Sequence, residues 1–263
     1  MPKKINIYQI DAFTDKVFAG NPAAVCLLEQ WLPDEVMQNI GAENNLAETA
    51  FLVKREEGYE IRWFTPGIEV ALCGHATLAS AHVLFNHLDH SGDVIQFFSR
   101  HSGPLSVTKK GELLTLDFPT DTLEKTEGPL AVLDAFNIKP LELYQGRTDF
   151  MLVYKNQHEI ERINPDMARL KKFKARGIIV TAPGTDVDFV SRFFAPGSGI
   201  DEDPVTGSAH TTLTPYWSQK LNKKKLHAQQ LSKRGGDLLC EFLGERVKIT
   251  GKAVTYLIGA IRI

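Results

Sequence analysis

Four side chains in this sequence could do chemistry together: Glu48, His75, Asp203 and Ser208. Glu48 enters the apolar stretch of "NLAETAFLV" (45–53), where a carboxylate is costly unless it is partnered or used. Desolvation there raises a carboxyl pKa toward the range useful for proton transfer; the plain alternative is a capped strand end or a salt bridge. Gly74-His75 and Gly207-Ser208 each open an apolar helical stretch, and Asp203, before Pro204, lies in the loop feeding the second. A helix start presents N–H groups with no intrahelical partner and the positive end of the dipole, which suits a carboxylate. Read singly, the glycines are close-packing residues, Asp203 an N-cap and His75 a satisfied first-turn histidine. Together they offer acid/base groups and anion-holding donors, with no evident nucleophile and no Gly-rich nucleotide loop. Proton movement on a small carboxylate-bearing molecule is the chemistry such a set performs.

What must position these residues is written twice. "RWFTPG" (62–67) returns as "RFFAPG" (192–197) at an offset of 130, and "SRHSGPLSVTKKGELLTL" (99–116) returns as "SKRGGDLLCEFLGERVKI" (232–249) at 133. "PDEVMQNI" (33–40) and "PDMARLKK" (165–172) both predict helices opened by Pro-Asp. Two copies of a long period are a duplicated domain and not a solenoid. In each copy short β-branched or aromatic runs bounded by turn residues predict strands. A longer helix, "GHATLASAHVLFNHL" (74–88) or "GSAHTTLTPYWSQKL" (207–221), is predicted to be buried, and Pro215 to kink the second. The expected fold is α/β (α+β), two similar lobes related by a pseudo-twofold, each a mixed sheet rolled around a central helix. The lobes are expected at residues 1–118 and 119–263, with the return of the last strand, "AVTYLIGAIRI", to the first lobe left open. On that geometry both helix starts face one cleft. Glu48 has no acidic counterpart: "ARGIIVTAP" (175–183) has glycine or a neighbouring apolar residue in its place.

The totals exclude several classes. In 263 residues, 43% hydrophobic and 24% charged content belong to a soluble globular protein. A formal charge of -2 supplies no field for nucleic acid or an anionic membrane. No apolar run approaches the roughly 18 residues that span a bilayer, and the N-terminal residues carry no signal-like apolar region. Three cysteines (Cys26, Cys73, Cys240) without CxxC spacing indicate neither a disulfide framework nor a structural zinc site. A cytoplasmic protein without a metal is expected.

"IDAFTDKVFAGNPAAVCLL" (10–28), "NLAETAFL" (45–52), "CGHAT" (73–77), "DEDPVTGSAH" (201–210) and "SKRGGDLLCEF" (232–242) resemble the phenazine-biosynthesis PhzF-like proteins, of the diaminopimelate-epimerase fold. The resemblance spans almost the whole chain. It implies cofactor-free isomerisation of a small carboxylate, with no nucleic acid or membrane partner, and a homodimer. Glu48 matches the family's proton-moving glutamate; His75, Asp203 and Ser208 match its other motif residues, with the Gly74 and Gly207 amides near substrate. Ala47 departs from the serine of the phenazine enzyme, which bears on substrate. Cys73 resembles one member of the epimerase's cysteine pair and would sit beside substrate. Two rival functions follow: an epimerase or racemase using Cys73 with Glu48 or Asp203, and a binding protein that kept the cleft without the reaction.

Overall fold

Strand β1 (Lys4–Ala12) buries Ile5, Tyr8 and Ile10, and it pairs antiparallel with β2 (Asn21–Leu28). The structure, a computed structural model, describes residues 3–173 and 175–263. Helix α1 (Asp34–Asn44) carries the chain back to β3 (Glu48–Lys54), which runs parallel to β2. It ends at Asn45, whose left-handed backbone (φ 49°) returns its N–H to the Gly41 carbonyl. That C-cap turns the chain three residues before Glu48. β4 (Tyr59–Phe64) pairs antiparallel with β3, and β5 (Glu69–Val70) with β4. Helix α2 (Gly74–His87) then crosses to β6 (Val94–Ser99), parallel to β4, and β7 (Gly103–Lys110) and β8 (Leu113–Pro119) follow.

α2 is the centre of this unit. Its side chains from His75 to Ala81, and Val83, Leu84 and Phe85, are all buried, and it touches β1, β2, β3 and β7. A helix apolar nearly all round is stable only when surrounded in this way.

The second unit repeats the scheme after β9 (Glu124–Lys125), α3 (Leu130–Leu133) and β10 (Glu142–Gln145). β11 (Asp149–Val153) leads through α4 (Gln157–Arg162) and α5 (Met167–Lys171) to β12 (Gly177–Pro183), parallel to β11. β13 (Phe189–Ala195) is antiparallel to β12, and β14 (Ile200–Asp203) to β13. After α6 (Gly207–Leu221), β15 (Lys225–Gln230) lies parallel to β13 and antiparallel to β16 (Gly236–Phe242). The parallel and antiparallel pairings match those of the first unit strand for strand.

β17 (Arg246–Gly251) leads to the last strand, β18 (Ala253–Arg262), which runs antiparallel along β1. The compact units are accordingly Met1–Asp117 with Thr250–Ile263, and Phe118–Ile249, so the second ends at Ile249 and not at 263.

Asp166 caps α5 by accepting the Arg169 N–H at 3.1 Å, which places the helix start where Pro165-Asp166 predicts it. α6 runs on through Pro215. Proline has no N–H for the Thr211 carbonyl four residues back, and that carbonyl instead accepts the Asp121 N–H at 3.2 Å. The Asp121 carboxylate also takes the Thr212 hydroxyl at 2.9 Å, so a loop supplies what the proline removes. Trp217 anchors α6 by stacking on Phe189 and donating to the Thr181 hydroxyl at 2.9 Å.

Candidate active site

In the first unit, Glu48 is the opening residue of β3 and His75 the second residue of α2, and the two elements bring them face to face. Glu48 Oε2 lies 3.2 Å from His75 Nε2, with the carboxylate side chain 12% exposed and the imidazole 6%. The other ring nitrogen, Nδ1, is 3.2 Å from the Asn21 amide nitrogen and 3.4 Å from Cys73 Sγ. Burial pulls the His75 pKa down to about 3, against a hydrogen bond at the Pro22 backbone, so the ring is neutral at physiological pH. A neutral imidazole carries one N–H and one lone pair. Glu48, Asn21 and Cys73 are therefore coupled through the place of a single ring proton, which decides whether the carboxylate meets a donor or a lone pair.

The backbone explains how these groups are held. Cys73 is the extended N-cap residue of α2, and its carbonyl receives both the Thr77 N–H at 3.1 Å and the Thr77 hydroxyl at 2.6 Å. Asn21, fully buried, opens β2 directly after Gly20. Gly20 has φ +64°, and a Cβ there would lie 2.2 Å from the Ala12 carbonyl oxygen, so only glycine delivers Asn21 to the imidazole. Buried Asp11 fastens the preceding loop by accepting the Phe18 N–H at 2.9 Å.

Glu48, Cys73 and His75 present three potential ligand atoms within 4.8 Å of one another. The thiol faces Nδ1 and the carboxylate faces Nε2.

The second unit builds a different site on the same plan. Thr206 is the N-cap residue of α6; its N–H donates to Gln230 Oε1 at 2.8 Å and its hydroxyl to Asp203 Oδ2 at 2.5 Å. Gln230 Nε2 in turn holds the Asp203 carbonyl at 2.8 Å. Asp203 thus orders the loop into α6. Ser208, in the first turn, accepts a hydrogen bond from Arg176 Nη1 at 2.9 Å. At the start of β12, where the first unit has Glu48, Gly177 stands: Asp149 pairs with Gly177 as Ala23 pairs with Glu48. A Cβ on Gly177 would lie 2.1 Å from Cζ of Phe193, whose ring fills the space. Gly177→Ala is expected to destabilise the protein by about 1–3 kcal/mol through overpacking, read as a lower urea midpoint.

The first unit gathers Glu48, Cys73, Gly74 and His75; the second gathers Asp203, Gly207 and Ser208. Sequence reasoning missed Asn21, Arg176 and Asp149. The only available signals were the Gly20-Asn21-Pro22 turn and a lone arginine before Gly177. The other two cysteines take no part: burial drives the thiols of Cys26, in β2, and Cys240, in β16, up to about 12, leaving them inert. No helix among the described residues is long and apolar enough to cross a membrane.

Comparison with known proteins agrees with this architecture. A family model described as phenazine biosynthesis-like protein matches residues 10–259. An uncharacterized isomerase of Pseudomonas aeruginosa is 51% identical over 261 residues, covering 99% of either chain. The crystal structure of a PhzF-family phenazine biosynthesis protein from Enterococcus faecalis is 48% identical with a TM-score of 0.96, covering 99% of this chain and 100% of that one. A hydroxyproline epimerase from Agrobacterium vitis, solved with trans-4-hydroxy-L-proline, is 11% identical with a TM-score of 0.62 over 99% of this chain and 93% of that one. With that last protein the chain shares the fold.

Proposed function

The chain belongs to the phenazine biosynthesis-like family, and on that footing we propose that it is a cofactor-independent isomerase that moves a proton on a small carboxylic acid. One observation carries the reading: a largely buried carboxylate, Glu48, set 3.2 Å from an imidazole that burial keeps neutral. A neutral imidazole does not lock the carboxylate into a permanent ion pair, as an arginine would, so Glu48 remains able to take up and release a proton. Glu48 removes a proton from one carbon and returns it at another. His75 sets the polarity behind the carboxylate, and Asn21 sets the orientation of His75. In the second unit Ser208 and the Gly207 amide hold the substrate carboxylate, and Asp203, whose carboxylate accepts the Thr206 hydroxyl, orders the loop that presents them. Relatives carrying the name isomerase support the isomerase class of this reading.

The test is solvent exchange. Small cyclic and acyclic carboxylic acids incubated in deuterated water should gain deuterium at carbon with the wild-type protein, and the gain should depend on Glu48. Binding without Glu48-dependent exchange across such a panel would favour a non-catalytic binding protein.

The cysteine-dependent epimerase is separated by a different variant. Cys73 Sγ faces Nδ1 of His75, the ring nitrogen opposite the one that meets Glu48. Cys73→Ala should therefore leave exchange within about threefold of wild type, well short of the ~10²-fold or greater loss that removal of an acid/base group produces. A loss of that larger size would assign the thiol a proton-transfer role.

A further inference from the structure

In the second unit a charge pair stands where the first unit has two alanines. By strand register Asp149 takes the place of Ala23, and Arg176, one residue before Gly177, the place of Ala47. Asp149 is 3% exposed, and its pKa is raised because burial outweighs the lowering by Arg176. The Arg176 side chain stays 41% exposed, so water screens its attraction to the buried carboxylate, which makes such a pair a poor stabilising device. It is an effective orienting one. Arg176 donates from Nε to Asp149 Oδ1 at 2.9 Å and from Nη2 to Oδ2, and its guanidinium lies over the Phe193 ring at 5.4 Å. The fork geometry and the ring fix the plane of the guanidinium.

In that plane Nη1 reaches Ser208 Oγ at 2.9 Å. A guanidinium is donor only, so the serine oxygen is an acceptor in this contact and its own proton is directed elsewhere. Among the described residues no hydrogen bond has Ser208 Oγ as donor. Because Asp149 offsets the charge of Arg176, the arginine contributes direction more than net field.

We propose that Arg176 is a positioning residue for carboxylate recognition: held by Asp149 and Phe193, it commits the Ser208 oxygen as acceptor and thereby turns the Ser208 hydroxyl proton toward the substrate carboxylate. This rests on the assignment of Ser208 to carboxylate binding. The second copy has no counterpart of Glu48 at the start of its third strand, and the oriented Ser208 hydroxyl is what it offers to an anion.

The experiment compares a carboxylate with its neutral isostere. Binding of 2-aminobenzoate and 2-aminobenzamide is measured by calorimetry for wild type, Arg176→Gln, Asp149→Asn, Ser208→Ala and the Arg176→Gln/Ser208→Ala double variant, with melting temperatures recorded alongside. Wild type should prefer the carboxylate by about tenfold or more, as a charge-assisted hydrogen bond gives. Arg176→Gln and Ser208→Ala should each lose most of that preference. The double variant should lose little more than Ser208→Ala alone, since groups acting through one contact are non-additive. Asp149→Asn, which leaves the arginine in place but loosens it, should cut the ratio as well and covers the case in which Arg176→Gln does not fold. A wild-type preference retained in folded Arg176→Gln or Asp149→Asn overturns the inference. A wild type with no preference, absence of binding included, overturns the carboxylate reading beneath it.

Discussion

Glu48→Gln is expected to lower solvent exchange and turnover by about 10²–10⁴-fold, the range lost when a positioned acid/base group is removed. The substitution keeps the shape of the side chain and an oxygen that can face His75 Nε2, 3.2 Å away in the wild type. An amide, however, cannot take a proton from carbon. The loss should appear in kcat, with binding of carboxylate probes changed by less than about threefold, since a transition-state interaction is lost and not a uniform one. Glu48→Asp, which retracts the carboxylate by one methylene, should recover a small part of the rate. Exchange at wild-type rate in a folded Glu48→Gln protein would remove Glu48 from the mechanism.

The second large effect is on stability in mild acid. Burial pulls His75 to about 3 and His210 to about 4, each against a backbone hydrogen bond, at Pro22 and Thr206 respectively. Burial, with the charges of His87 and Lys109, pulls His82 to about 4. In the unfolded chain all three titrate near 6.5. Between those limits the unfolded state binds protons that the native state refuses, so stability falls as pH falls. The contribution is complete above about pH 6.5 and is lost progressively toward pH 3–4, at up to about 1.4 kcal/mol per pH unit for each group. His75 and His210 are almost fully buried and count in full, whereas the partly exposed His82 counts for less. By pH 5 the loss should reach several kcal/mol, a large share of the roughly 5–15 kcal/mol that holds a domain together. Urea melts at pH 7.5, 6.0 and 5.0 read this directly, and a midpoint constant over that interval would contradict neutral burial of these rings. The window opens above the range in which ordinary carboxylates protonate, which separates the two causes.

Much of the architecture is legible in the chain because it rests on local pattern. Short β-branched runs, Pro-Asp helix starts and two Ala- or Thr-rich buried helices recur at nearly constant offset, and repetition converts weak local signals into a strong joint one. The same pattern exposed Glu48 as an acid in one copy only, since a carboxylate entering an apolar strand is anomalous in any context. His75, Asp203 and Ser208 stood out because helix starts have known chemical needs.

The partners of those residues were not legible. Asn21 meets His75 across 54 residues, Arg176 meets Ser208 across 32, and Asp121 meets the Thr212 hydroxyl across 91. Such hydrogen bonds depend on strand register and on which face of a helix turns inward, and a single sequence carries no periodic trace of either. Strand pairing alone identified Gly177 as the residue standing in for Glu48, and ring packing alone showed why it is glycine. The sequence by itself determined that the domain is doubled, which elements each copy forms and where a lone acid lies. Tertiary structure decided which nitrogen meets that acid, what keeps the imidazole neutral and which arginine orients the serine, because side-chain hydrogen bonds act over about 3 Å and only the folded chain brings distant residues within that reach.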